Sequence, residues 1–202
     1  NLMFDYAAFL WDGANEWVTR SIMIFLVLVA LTVINILGIR KAIQAINIFT
    51  FLKLIPIFLM IIMGFQYLAP VHMIPPELPV LEDAEAVILL IFFAFTGFES
   101  VLASAGETKN PKKTIPQALL FVFVIVTIIY FLLQLVYVTV APPLNDSAPL
   151  VGLGGSLMGP IGEKIIIITA IFSILGNVAG IVIFASRSSF GMARFGSLPM
   201  WF

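Results

Sequence analysis

The chain has 202 residues, of which 61% are hydrophobic and 10% charged, with a mean hydropathy of +1.14; soluble domains carry about 45–50% apolar and about 25% charged residues, so an ordinary soluble domain is excluded. A formal net charge of −1, a pI near 5.8 and the lack of a clustered Lys/Arg face exclude nucleic acid as a partner. With no cysteine and a single histidine, His72, the sequence excludes disulfides, cysteine nucleophiles and thiolate or histidine metal centres, and no cofactor is expected.

A hydrocarbon core about 30 Å thick needs about 20 mostly apolar residues in a helix. Five stretches meet that need, at 21–38, 43–67, 86–104, 115–140 and 164–185, which predicts an all-α polytopic membrane protein with one transmembrane domain over 1–202. The start at Asn1 has neither an initiator methionine nor the basic start of a signal peptide, and the chain stops at Trp201-Phe202 without a tail, so both ends read as cut.

The connections carry turn chemistry: Pro75-Pro76, Asn110-Pro111, Pro142-Pro143 with Asn145-Asp146, and the series Gly152, Gly154, Gly155, Gly159 and Gly162. Residues 148–159 form a candidate short surface helix that their glycines weaken. Successive spans alternate sides, which sorts the charges. One side receives Arg40, Lys41, Lys109, Lys112, Lys113, Arg187 and Arg194, and the other only Arg20 and Lys164. The positive-inside rule then predicts that 39–42, 105–114 and 186–202 are cytoplasmic.

Two ionisable residues fall within predicted spans, Lys53 and Glu99. Lys53 lies ten residues into the second span, about 15 Å deep at about 1.5 Å per residue. A lone lysine at that depth costs about 2.5–3.5 kcal/mol on insertion scales, so something must face it. Two readings stay open: a group that loads and releases a proton during transport, or a structural donor to backbone carbonyls.

The third span runs Phe92-Phe93-Ala94-Phe95-Thr96-Gly97-Phe98-Glu99-Ser100, a Thr-Gly step set against a carboxylate. Glycine inside a helix costs about 1 kcal/mol relative to alanine. Irregular backbone at membrane depth survives only where protein or a water-filled cavity satisfies it. A discontinuous helix is therefore expected near 93–98, with freed carbonyls for a ligand ammonium and half-helix termini for an anion. Phe92, Phe93, Phe95 and Phe98 either line that ligand or pack as ordinary helix contacts, and Glu99 either binds a proton or ties helices together. Asn35, Asn47, Gln134, Ser173 and Asn177 read as interhelical hydrogen-bond partners.

Residues 92–101, followed by Gly106-Glu-Thr-Lys-Asn-Pro-Lys-Lys-Thr-Ile-Pro116, closely resemble the sixth-helix signature of amino acid permeases of the amino acid/polyamine/organocation superfamily. The likeness extends to Asn35-Ile-Leu-Gly-Ile-Arg-Lys41, to Phe49-Thr-Phe-Leu-Lys53 and to 186–199, and covers nearly the whole chain. It implies helices four to eight of an inverted-repeat transporter bundle, with a substrate site at Phe93, Ala94, Phe95, Thr96, Gly97 and Phe98. It further implies that the carbonyls around Phe93, Ala94 and Thr96 receive the substrate amine, that Phe93 gates or stacks, and that Glu99 takes part in gating and pH response. Lys53 resembles a lysine standing where sodium-coupled relatives hold a cation, which implies proton coupling or exchange.

The implied function is secondary transport of an amino acid or related amine, with a proton or an exchanged amino acid as the coupled species. The implied location is a plasma or bacterial inner membrane. The lipid bilayer and the transporter helices missing from this chain are the remaining expected partners. The alternatives are a non-transporting receptor or sensor of the same fold and an inactive truncated product. No span carries paired carboxylates or a nucleophile and base, so an enzyme is not expected.

Overall fold

A computed structural model describes residues 2–9, 16–68, 81–141 and 148–199. The described chain is helical, without a strand: α1 (Leu2–Ala8), α2 (Trp17–Ile36), α3 (Ile39–Gly64), α4 (Leu81–Ala94), α5 (Pro111–Val140) and α6 (Pro149–Arg194). Short 3-10 helices follow α3 at Phe65–Tyr67 and α4, after an interruption, at Phe98–Glu107. Within the described residues, α2, α3 with its 3-10 extension, α5 and α6 are long and apolar enough to cross a membrane, and Val87–Leu102 is a shorter apolar stretch. The predicted turns at Pro75-Pro76 and at 142–146, and His72, lie outside the described residues.

The predicted loop at 39–42 is helical, because the reversal between α2 and α3 takes only Leu37 and Gly38. Gly38 has φ 111°, a value that L side chains rarely adopt, and its carbonyl accepts from the amides of Lys41 and Ala42. The predicted 105–114 loop shrinks as well, since Asn110 enters the left-handed region at φ 51° and hands Pro111 the first helical position. Much of the predicted tail at 186–202 is helix, since α6 runs on to Arg194.

The largest difference from the sequence reading is at the other end of α6. The glycine-rich 148–159 segment does form a short helix, the first arm of α6, set off by the non-helical φ/ψ of 67°/−159° at Gly159 ahead of Pro160, but it is packed rather than on the surface, with Val151, Leu153, Gly154 and Leu157 buried. The bend folds the arms together: a Cβ on Gly162 would lie 2.1 Å from the Gly154 carbonyl oxygen, and one on Gly154 would lie 3.1 Å from the Gly162 carbonyl oxygen. Only glycines allow that approach.

Around this corner sits the buried core, made of Met60, Val136, Ala148, Val151, Leu153, Leu157, Ile166 and Ile167. Gly64 of α3 meets Val136 of α5 there, with no space for a further carbon. Lower down, α3 and α6 pack through the stacked rings of Phe49 and Phe172, 6.0 Å apart, and through Gly176, whose added Cβ would lie 3.3 Å from Phe49 Cβ. At the far end Asn35 Nδ2 donates to Ser186 Oγ (3.1 Å), tying α2 to α6. Large apolar side chains such as Phe25, Phe51, Phe121 and Phe131 remain outward and exposed, as a lipid-solvated surface requires.

Candidate functional site

Helix α4 ends at Ala94, Phe95 to Gly97 turn, and the chain resumes as a 3-10 helix at Phe98. Gly97 makes the turn possible with φ 99°, and nothing lies within 4 Å of where its Cβ would be. The break is capped from within. Glu99 Oε2 accepts from the Gly97 amide (3.0 Å), and Ser100 Oγ donates to the Gly97 carbonyl (2.7 Å). The Thr-Gly-Phe-Glu-Ser order thus supplies its own satisfaction for a backbone that has left the helix.

The Phe93 carbonyl, expected to be open, accepts from both the Thr96 amide (3.1 Å) and Thr96 Oγ1 (2.7 Å). Among the described residues, no backbone amide donates to the carbonyls of Phe95 and Thr96. Of the carbonyls expected to be open, that of Phe93 is therefore taken, whereas those of Ala94 and Thr96 have no backbone amide donor among the described residues, and Phe95 joins them. The aromatics divide likewise. Phe95 stacks on Phe123 at 5.9 Å and meets Tyr130 edge-on at 5.5 Å, while Phe98 meets Phe123 at 5.2 Å. Phe92 and Phe93 stay outward, 72% and 75% exposed, and touch neither group.

Lys53 is half-buried on α3, three residues before Pro56, whose missing amide leaves the Leu52 carbonyl without its helical donor. Arg20 pairs with Asp5, and Lys53 and Glu99 do not pair with each other. Lys53 and Thr96 instead line one cavity of about 400 Å³ with Thr50, Tyr130, Ser173 and Asn177. Its walls come from α3 residues 46, 49, 50 and 53, one helical face, and from α6 residues 173, 174, 176 and 177. A second cavity of about 210 Å³ runs from Thr96 and Tyr130 to Phe95, Phe98 and Phe123 and is mostly apolar.

The structure thus brings Lys53 and Thr96 to one polar cavity, sets Phe95 and Phe98 beside it, and leaves Glu99 on the break's own backbone. Tyr130 was not singled out from sequence, although a hydroxyl-bearing aromatic within the charge-free run 114–142 is a usable signal. Ser173 and Asn177 were read as packing residues, yet their spacing of four places both on the face that looks across to Lys53.

The profile of a family described as amino acid permease matches residues 2–202. The chain is similar to the branched-chain amino acid permease BcaP of Bacillus subtilis, 33% identical over 58% of this chain and 25% of that protein. It is 34% identical to the serine/threonine exchanger SteT of the same organism over 84% of this chain and 40% of that protein. The methylthioribose transporter of Bacillus subtilis is 28% identical over 86% of this chain and 38% of its own length. The chain therefore spans between a quarter and two-fifths of these relatives. No solved structure matches it.

Proposed function

This chain belongs to the amino acid permease family, and from that premise we propose that it is the central part of a secondary transporter for an amino acid or a related amine. The carrying observation is the break at 95–97. It presents carbonyls without amide donors among the described residues, those of Phe95 and Thr96 included, beside a polar cavity that also holds an intramembrane lysine. An ammonium satisfies such carbonyls, and the carboxylate of a zwitterion suits the cation-bearing wall.

In this reading Phe95 and Thr96 receive the amine. Ala94, Phe95 and Phe98, with Phe123 and Tyr130, form the wall beside the substrate side chain, and exposed Phe93 gates from the other side. Gly97 supplies the turn. Glu99 fixes the turn's amide, so its charge state is linked to the geometry of the site. Lys53 keeps a positive charge on the α3 face without a bound metal ion, which favours coupling to a proton or to an exchanged amino acid. The chain is an integral membrane protein by its four apolar helices and its family. The basic ends at Arg40, Lys41, 109–113, Arg187 and Arg194 are assigned to the cytoplasm, in a plasma or bacterial inner membrane.

The test is uptake of a labelled neutral amino acid by vesicles holding the complete protein. Uptake is expected in the wild type, a loss of about tenfold or more for Lys53→Ala, and none for the 202-residue chain alone, since alternating access needs the opposing repeat. Binding without uptake by the complete protein would overturn transport in favour of a receptor. Lys53→Ala uptake equal to wild type across pH would remove the coupling role.

A further inference from the structure

Lys53 stands between two cavities, of which the transport reading uses one. The inner cavity is polar and meets the broken helix. The outer one, about 230 Å³, lies toward the corner of α6, where Leu150 of the short arm roofs it over Lys53, Ile57 and Met60. Lys53, Ser173 and Ile174 line both cavities, so α3 and α6 carry the two along one seam with Lys53 shared between them.

The chemistry of the two differs in one decisive respect. Beside the inner cavity are carbonyls able to accept from an ammonium, whereas among the described residues the outer cavity is lined by no carboxylate and by none of residues 95–97. Its polar groups are Lys53, Tyr6, Thr169 and Ser173, and the Thr169 hydroxyl hydrogen is already committed to the Ile165 carbonyl (2.7 Å). Lys53 itself has no hydrogen-bond or ion-pair partner among the described residues. The positive charge of Lys53 therefore attracts an anion to the inner end of this cavity and repels a second cation, while Ile57, Met60, Leu150 and Ile166 solvate a hydrocarbon. The volume exceeds the roughly 150 Å³ of an apolar cavity that accepts benzene, so a chain of about six carbons fits.

We propose that the outer cavity is a second binding site, separate from the amino acid site, for a small aliphatic monocarboxylate that lacks an amine. Its carboxylate pairs with the Lys53 ammonium from the outer side and its tail lies under Leu150. Because both sites use Lys53, such an acid competes with the amino acid for the same charge. The site selects against amino acids, since a zwitterion placed there buries a second ammonium near Lys53 with hydroxyl oxygens and no carboxylate among the described residues to offset it.

The experiment measures binding of labelled hexanoate to this chain in nanodiscs of uncharged lipid, with hexylamine and norleucine as competitors of the same carbon length. Saturable hexanoate binding is expected, displaced by unlabelled hexanoate at least tenfold better than by hexylamine or norleucine. Ala170→Phe, which fills the outer cavity alone, is expected to reduce binding about tenfold or more, and Leu150→Trp, from the opposite wall, to do the same. Lys53→Met should abolish saturable binding. Thr50→Leu, which alters only the inner cavity, should leave hexanoate bound as in the wild type. Equal displacement by hexylamine, or Ala170→Phe and Leu150→Trp within twofold of wild type, would show membrane partition only and overturn the site. Neither result bears on amino acid uptake by the complete protein, so the two readings fail separately.

Discussion

Gly97 and Gly159 both hold positive φ within apolar helical stretches, at 99° and 67°, yet their surroundings are opposite. At Gly159 the chain folds on itself so closely that Gly154 and Gly162 meet backbone to backbone, and Leu153, Leu157 and Ile166 are buried around the bend. At Gly97 the backbone is held by two local side chains, Glu99 and Ser100, and its neighbours Thr96 and Phe98 line cavities. The same residue type thus makes a closed corner in one place and an opening in the other. What separates them is whether the freed backbone groups meet protein or space.

The comparison breaks most severely at the corner. Gly162→Ala forces a methyl against the Gly154 carbonyl, where overpacking costs about 1–3 kcal/mol. The chain's melting temperature in detergent is expected to fall by several degrees, and the short arm to become sensitive to protease. An unchanged melting curve would mean the arms can part freely. Gly97→Ala should behave in the opposite way, because no atom stands within 4 Å of the new methyl and only the left-handed backbone resists. That strain, about 1–2 kcal/mol, drives 95–97 back toward helix and re-pairs the open carbonyls. Amino acid affinity of the complete protein is expected to drop about 5–30-fold while the melting temperature holds.

Glu99→Gln sharpens the contrast with a smaller effect. The amide oxygen still accepts from the Gly97 N–H but without the charge that makes such bonds about twice as strong. A loss of affinity of about two- to fivefold is expected, with uptake that no longer varies with the ionisation of that carboxylate. Uptake by the variant that follows the wild-type pH profile would leave Glu99 only its capping bond.

The opening was legible in sequence and the close packing of the corner was not, for one physical reason. Thr96-Gly97 against Glu99 conflicts with an uninterrupted apolar helix, so the conflict itself marked the break. The glycines at 152–162 conflict with nothing unless their distant partners are known, and the series read as a weak helix or loop rather than as a packed bend. Turn chemistry at Asn110-Pro111 and the end of the first span at residue 38 marked these reversals but made them too long, because Pro111 and Gly38 start helices at once. Lys53 was identifiable by its depth alone. Which carbonyls it shares a cavity with was not, since Thr96 Oγ1 turns back onto Phe93 and that choice depends on the local turn. Tyr130 joins the site only because α5 packs beside the break.

The central claim is that the break at 95–97 opens onto a bound amino acid whereas the bend at 159 is closed. This chain contains no cysteine, so a thiol placed at either point is unique within it. Thr96→Cys and Leu157→Cys would be introduced into the complete protein, with any cysteines outside this chain replaced, and their rates of reaction with a small water-soluble thiol reagent measured with and without a transported amino acid. The account predicts that Thr96→Cys reacts readily and is protected several-fold by the amino acid, and that Leu157→Cys reacts slowly and is indifferent to it. A Thr96→Cys rate that no amino acid alters, or protection at Leu157→Cys instead, would contradict it.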